Sequence, residues 1–359
     1  MRACILSVVE PKHMVMISMY TEFFDIHQIP YDIVYMDRYH VEEETNAENV
    51  YRCEINSTNS INKIIGYIKF KLYAQKVLKK IHYDFIAVWN EYTAVLFSNF
   101  LEREYKGRYS VNVRDLFDPD DRIRKPELLY PILNKAIQNS AFTTVSSGKY
   151  ISYLTKFDKY IFVHSINAAI LPPAINHKLR KDEPIRILYI GKIRYLDEVK
   201  KLIYEIRNDN RFLMKFVGIG SENVKKIADS CGCRNIEFTG MFDSRQTNNY
   251  LKDADIIFNL YGDRKASVQT ALSNKLYYAV CLNVPILVYK KTYMYEIANS
   301  CGIAFPVDDY PAGTVADNLY EWYNKLDFNA IHLKCEEFKE EAIRSHYIFE
   351  KELDRILKY

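Results

Sequence analysis

Glycine is scarce in this chain, 11 of 359 residues, and none precedes Gly66. The first strand-like segment, Ala3–Val9, therefore runs into Glu10-Pro11-Lys12-His13 rather than a glycine turn. That argues against a nucleotide phosphate cradle in the N-terminal half. No apolar run approaches the roughly 20 residues that a membrane-spanning helix needs. The opening residues Met1–Glu10 are too short for a secretory signal and read better as a first strand, which places the chain in the cytoplasm. The seven cysteines are odd in number and scattered. Cys231-Gly-Cys233 has the wrong spacing for a zinc knuckle or a redox pair, so the thiols read as reduced and inert. A net charge of +3 gives no ground for nucleic-acid binding. No His-Glu-x-x-His, Gly-x-Ser-x-Gly or phosphate-loop lysine occurs.

What is present is alternation. Short β-branched or aromatic runs recur at Ala3–Val9, Tyr31–Met36, Asp84–Trp89, Tyr109–Val113, Phe142–Val145, Ile185–Ile190, Phe212–Val217, Ile236–Thr239, Ile256–Leu260 and Ile286–Tyr289. Helix-length segments separate them. The pattern predicts an α/β protein with parallel sheets covered by helices on both faces. The length suits two domains of ordinary size. A polar, proline-bearing stretch from Leu171 to Pro184 marks the boundary, giving Rossmann-like domains over 1–172 and 184–327. The last segment, 328–359, reads as a charged helix with Phe338, Ala342, Phe349, Leu353 and Ile356 on one face.

The second half carries the informative wording. Two strands end in glycine turns, at Gly191-Lys192-Ile193-Arg194 and at Gly218-Ile219-Gly220. Asn235–Gly240 follows with Met241 after it, then Ala254–Leu260, then Ser273-Asn274-Lys275-Leu276-Tyr277-Tyr278, closed by Val284-Pro285-Ile286-Leu287-Val288. Ser273 stands where an N-cap belongs, and Lys275 adds a charge beside a helix N-terminus, an arrangement suited to a diphosphate. This order, over roughly Ile185 to Val307, resembles the donor-binding domain of nucleotide-sugar glycosyltransferases with two facing Rossmann-like domains (the GT-B type), family 4 and its capsular polysaccharide members in particular. The resemblance implies that the terminal helix crosses back to the first domain. It also implies that Lys192 and Arg194 neutralise the donor diphosphate. Gly191, Gly218, Gly220, Gly240, Met241, Asp263, Ser273, Asn274, Lys275, Leu276 and Tyr278 would then line the donor site.

One departure stands out. The family carries two glutamates eight positions apart around the donor sugar, and this chain has Thr270 and Tyr278. Asp263, in the Tyr261–Arg264 loop, is the candidate substitute. A second lysine is also expected after Arg194, where Asp197 and Glu198 stand. In the first half, Val111–Phe117 resembles the family's strand end that faces the acceptor. Asp115 is the candidate for acceptor binding or general base work, against an Arg114–Asp115 loop ion pair. Asn90 and Glu91 close another strand toward the same edge, although Glu91 suits the first turn of a helix equally well. Ser146-Ser147-Gly148 reads as a helix cap. Two Asp-x-Asp matches, Asp118–Asp120 and Asp253–Asp255, fall in a proline turn and at a helix-to-strand joint, and no metal is expected.

The resemblance implies a metal-independent, retaining transferase. It would move a sugar from a nucleotide-sugar to a carbohydrate or lipid-linked acceptor in bacterial capsule or surface-polysaccharide assembly. A non-catalytic homologue in an assembly complex and a non-hydrolysing nucleotide-sugar epimerase remain as alternatives. Residues 61–82 hold Lys63, Lys69, Lys71, Lys76, Lys79 and Lys80 and no acid. Ile61, Ile64, Ile65, Ile68 and Leu72 share a helical stripe there. The segment is either a domain helix with a solvated basic face or a peripheral contact with the plasma membrane.

Overall fold

The computed structural model describes residues 1–41, 44–56, 60–117, 126–166, 183–243 and 246–357. Residues 171–182 of the expected boundary and the Asp118–Asp120 motif lie outside them. The chain divides into two compact units, Met1–Ser165 with Arg344–Tyr359, and Ile166–Ile343.

The first unit holds strands β1 Ala3–Ser7, β2 Tyr31–Asp37, β3 Asn49–Glu54, β4 Phe85–Trp89, β5 Tyr109–Val113, β6 Phe142–Val145 and β7 Tyr160–Phe162. Helices α1 Ser18–Ile26, α2 Ser60–Ile81, α3 Glu91–Tyr105 and α4 Tyr130–Gln138 connect them. All seven strands pair in parallel in the order β3-β2-β1-β4-β5-β6-β7, with Ala3 level with Tyr31 on one side and Phe85 on the other. The inner strands β1, β2, β4, β5 and β6 are buried along their whole length. Most of their residues are apolar, as burial on both faces requires, and the buried polar ones are Ser7, Asp32, Asp37, Ser110, Asn112, Thr143 and Thr144.

The second unit repeats the plan. Its strands are β8 Ile185–Ile190, β9 Phe212–Val217, β10 Ile236–Thr239, β11 Ile256–Phe258, β12 Ile286–Val288 and β13 Ala304–Pro306. They form a parallel sheet in the order β10-β9-β8-β11-β12-β13. Its helices are α5 Leu196–Ile206, α6 Ser221–Cys231, α7 Thr247–Leu251, α8 Ala266–Thr270, α9 Asn274–Leu282, α10 Tyr293–Ser300 and α11 Val315–Asn324. In each sheet the chain order reverses beside the first strand, at β1/β4 and at β8/β11. Ligands of open α/β sheets sit beyond the strand carboxyl ends at such a point.

A last helix, α12 Phe328–Leu357, belongs to both units. Within the second unit, Phe338 lies 6.4 Å from Tyr277, ring centre to ring centre. Within the first, Phe349 packs edge-on to Tyr20 at 5.0 Å and Phe142 at 5.9 Å, and Leu353 and Leu357 join the same core. Ile356, the last member of the expected stripe, is partly buried against it. All seven cysteines are free thiols, five buried and Cys231 and Cys233 half-buried.

Three strands escape the sequence pattern: β3, β7 and β13. Two of them, β3 and β7, are the two edges of the first sheet, and β13 is an edge of the second. An edge strand pairs on one side only and needs no continuous apolar run. β3 is largely exposed, and β13 ends in a proline that an edge position tolerates.

Candidate functional site

Each unit gathers polar groups at the carboxyl ends of its strands. In the second unit, β8 and β9 end in turns that press on each other. Gly218 has φ +132°, and a Cβ there would lie 2.0 Å from the Gly191 carbonyl oxygen. The space that a side chain at Gly218 would need is therefore filled by backbone, so this glycine lets the two turns pack together. At Gly220 a Cβ would be tight rather than excluded, 3.3 Å from Ile193. Gly191 and Gly240, by contrast, face open space, and Met241 is 81% exposed beside Gly240.

Tyr189, the penultimate buried residue of β8, organises the turn above it. Its hydroxyl donates to the Lys192 carbonyl at 3.2 Å and accepts from the Arg194 backbone N–H at 3.1 Å. The Lys192 and Arg194 side chains are exposed. Over the Tyr189 ring, 4.2 Å from its centre, sits the Lys275 ammonium, which donates to the Tyr261 hydroxyl at 2.7 Å. The Tyr261 ring packs in turn on Tyr195, at 5.0 Å. Lys275 is only 6% exposed. Its pKa is lowered by burial and further by the charge of Arg194, against a raising effect of Tyr189. Among the described residues, none of Lys192, Arg194 and Lys275 forms an ion pair with a carboxylate. A buried ammonium with aromatic and hydroxyl partners but no counter-ion is costly unless an anion arrives.

Ser273 stands at the N-cap position of α9 but does not cap it. Its hydroxyl donates to Asn259 Oδ1 at 2.7 Å, tying the helix entrance to the end of β11. The α9 entrance therefore has no side-chain cap. Asn274 is exposed at that point, Leu276 is fully buried and Tyr278 is half-buried, its phenol pKa raised by burial. The Thr270 hydroxyl donates to the Ala266 carbonyl inside α8 at 2.6 Å.

Carboxylates collect at the neighbouring edge of this site. Asp263 is half-buried in the Tyr261–Gly262–Asp263 loop. Glu198 accepts from Tyr289 at the end of β12, and from Lys201 at 2.9 Å, and lies 3.5 Å from a Cβ built on Gly262. The Tyr289 phenol pKa is raised by burial and by these acids, Glu198 foremost. In sequence Glu198 occupies the region of a missing lysine. In the structure it reaches the Gly262 turn of the Asp263 loop.

In the first unit, β4 ends at Asn90, whose backbone takes φ 67° and ψ 162°, a region that residues other than glycine seldom occupy. Its side chain caps α3, accepting from Thr93 N at 2.9 Å and Thr93 Oγ1 at 3.0 Å. Glu91 is indeed the first-turn acid of α3, and it is also buried, 4% exposed. Its carboxylate accepts the Arg114 backbone N–H at 3.3 Å, and those of Asp115 and of Glu91 itself. Burial and the neighbouring Asp115 charge push the Glu91 carboxyl up to about 8. Asp115 is exposed, with the buried Tyr150 phenol 3.5 Å from its Oδ1. Two carboxyl groups are thus held at one strand edge in different environments, a protonated Glu91 beside an accessible Asp115. Arg114 donates to Ser165 Oγ at 2.8 Å and lies 5.7 Å from the centre of the Trp89 ring.

Ser146 is no helix cap either. Its hydroxyl donates to the Arg114 carbonyl at 2.8 Å, fixing the turn that presents Asp115. At the end of β1 the amides that a phosphate would need are engaged. Val8 N–H donates to Thr93 Oγ1 and Val9 N–H to Ser7 Oγ, both at 3.0 Å. Of the two Asp-x-Asp motifs, Asp255 accepts the Arg186 backbone N–H at 2.8 Å and Asp253 lies 3.5 Å from the Arg186 guanidinium. One trio, Asp37, His40 and Glu54, places ligand atoms within 4.8 Å of one another, but Arg52 already pairs with Asp37 at 2.8 Å.

Sequence reasoning missed Tyr189, Tyr195, Tyr261, Tyr289, Glu198 and Tyr150. Five of these are tyrosines in a chain with 30 of them, so no single one carried a signal.

No protein-family model matches the chain, and no curated protein is similar to it in sequence. Solved structures are similar in fold. Sucrose-phosphate synthase from Thermosynechococcus elongatus has a TM-score of 0.65 at 13% identity, over 96% of this chain and 99% of that one. WaaG, a glycosyltransferase involved in lipopolysaccharide biosynthesis, gives 0.63 at 11% identity over 99% of each chain. A Listeria monocytogenes protein assigned as a UDP-N-acetylglucosamine 2-epimerase gives 0.61 at 10% identity over 96% of each. Two parallel sheets of seven and six strands, each with its order reversed beside its first strand, and a long C-terminal helix give this chain the GT-B fold of glycosyltransferases.

Proposed function

We propose that this protein transfers a sugar from a nucleotide-sugar donor to a carbohydrate acceptor. The observation that carries the reading is Lys275, a buried ammonium without a carboxylate partner among the described residues, beside Arg194 at the carboxyl edge of a parallel sheet. A diphosphate arriving there supplies the missing anion. Lys192, Arg194, Lys275 and the uncapped amides of α9 then stabilise it as it departs. Gly191 leaves room for its oxygens, and Gly240 and Met241 border the base. Asp263 and Tyr278 face the sugar and ribose hydroxyls, with Ser273, Asn274 and Leu276 shaping the helix entrance.

Asp115 takes the proton from the attacking acceptor hydroxyl. That oxygen bonds to the anomeric carbon, the bond to the phosphate oxygen breaks, and its electron pair leaves with the diphosphate. Glu91, protonated at neutral pH, donates to the acceptor or to Asp115, and Asn90 and Arg114 hold the same edge. The chain's own cations do the charge neutralisation, and no metal is required by this scheme. The wording of residues 185–307 supports a place in bacterial surface-polysaccharide assembly, and we extend the proposal to a lipid-linked acceptor in the cytoplasm.

The deciding assay follows free nucleoside diphosphate released from a panel of sugar nucleotides. Release that needs a glycan acceptor supports transfer. Donor conversion to an epimer without acceptor identifies an epimerase, whose fold this chain shares. Calorimetry that finds no binding of any nucleoside diphosphate leaves a non-catalytic partner.

A further inference from the structure

The helix α2 has two apolar faces, only one of which the fold uses. Gly66, Phe70, Ala74 and Leu78, spaced by four, are buried against the first unit. On the opposite side Ile64, Ile65, Ile68 and Leu72 are 62%, 56%, 54% and 64% exposed. At 100° per residue these four cover about a quarter of the circumference and run about 12 Å along the axis. Four branched aliphatics in one exposed patch are an unusual surface for a helix that already has a packed side.

The charges around the patch say what it meets. Lys71 falls at one margin of the stripe, Lys69 and Lys76 at the other, and Lys79 about two turns beyond its end. No acidic residue occurs from Ser60 to Ile81. None of Lys63, Lys71, Lys76, Lys79 and Lys80 is ion-paired among the described residues, and Lys69 donates only to the Glu54 carbonyl, at 2.8 Å. Among the described residues no helix is long and apolar enough to cross a membrane. A second copy of the same face would set lysine against lysine. A nucleic acid would leave the aliphatic stripe unmatched.

We infer that α2 lies on an anionic lipid bilayer, its Ile64–Ile65–Ile68–Leu72 stripe inserted at the headgroup level and its flanking lysines on the phosphates. Neither half of this surface suffices alone: the stripe is short, and the lysines are screened by salt. Together they give binding that is reversible and salt-sensitive. The inference rests on this surface alone and stands whether or not the donor-site reading does.

The test is flotation of the full chain with phosphatidylcholine vesicles, plain or containing about 30% phosphatidylglycerol, a charge density at which each surface lysine counts. The wild type should float with the anionic vesicles at low salt, stay behind with plain ones, and be released at about 0.5 M salt. Lys71→Gln/Lys76→Gln should weaken partition about 25-fold, five-fold for each lysine. Ile68→Asp/Leu72→Asp should weaken it at least ten-fold, since it removes the inserted groups and adds repelled charge. All four positions face outward, so an unchanged thermal midpoint confirms that folding is intact. Wild type that remains unbound with anionic vesicles at low salt overturns the proposal. So does equal flotation of the aspartate variant, or a dimer in sedimentation that this variant converts to monomer, which assigns the stripe to a second copy.

Discussion

Replacing Glu91 by glutamine leaves the shape of the side chain and removes its titration. The wild-type carboxyl goes from 4.5 in the unfolded chain to about 8 in the folded one, chiefly because it is buried and secondly because Asp115 is charged nearby. The sign follows directly. Below 4.5 both states hold the proton and the linkage is silent. Between 4.5 and 8 the folded state keeps a proton that the unfolded chain has released, so rising pH favours unfolding. The stabilisation is complete at the acid end of this window and gone above about 8. At about 1.4 kcal/mol per pH unit the span sets a ceiling of about 5 kcal/mol, and the relaxation that buried charges induce makes about 2 kcal/mol a fair expectation. The chain has two tryptophans, Trp89 in the first unit and Trp322 in the second. In a Trp322→Phe background, urea melts followed by Trp89 fluorescence report the unit that contains Glu91. Glu91→Gln should gain steadily on its parent from pH 5 to pH 8, and the gain should level off above. Parallel stability curves for the two proteins would refute a protonated Glu91 and with it the division of labour between Glu91 and Asp115.

Lys275→Met should raise the thermal midpoint of the ligand-free protein, because a buried ammonium without a carboxylate counter-ion is removed, and should weaken nucleoside diphosphate binding by about 1.5–3 kcal/mol in calorimetry. Unchanged binding removes Lys275 from the donor site. Gly218→Ala should cost at least about 3 kcal/mol in denaturant melts of the second unit, since both the φ and the Gly191 backbone oppose a Cβ, while Gly240→Ala should cost under about 1 kcal/mol. Asn90→Ala should lose about 1 kcal/mol of capping and keep the backbone strain, whereas Asn90→Gly should stay within about 0.5 kcal/mol of wild type by urea melts.

Most strands were legible because short runs rich in β-branched and aromatic residues, bounded by polar segments, mark them. β5, β6, β8, β9 and β10 have the bounds that their sequences predict. β1 stops two residues short of the apolar run, because Val8 and Val9 turn away to bond Thr93 and Ser7. The glycine turns were legible as turns, though Gly218 serves backbone contact. The polar sites were less legible, because a side chain's partner is set by tertiary placement. Ser273 stands where a cap belongs and Ser146 one residue before the cap position Ser147, and each bonds a neighbouring strand end instead. The stripe on α2 could be read as a stripe, but which of two apolar faces met the sheet could not be read from period alone.

The helix α12 has a consequence for how the protein is made. Phe349, Leu353 and Leu357 complete a core whose other members, among them Tyr20, Phe85 and Phe142, leave the ribosome at the beginning of synthesis. Between them the whole second unit is translated. The first sheet therefore waits, with part of its interior unsealed, until residues 344–357 emerge. A chain truncated before Arg344 should be caught in that unfinished state, available to chaperones and proteases.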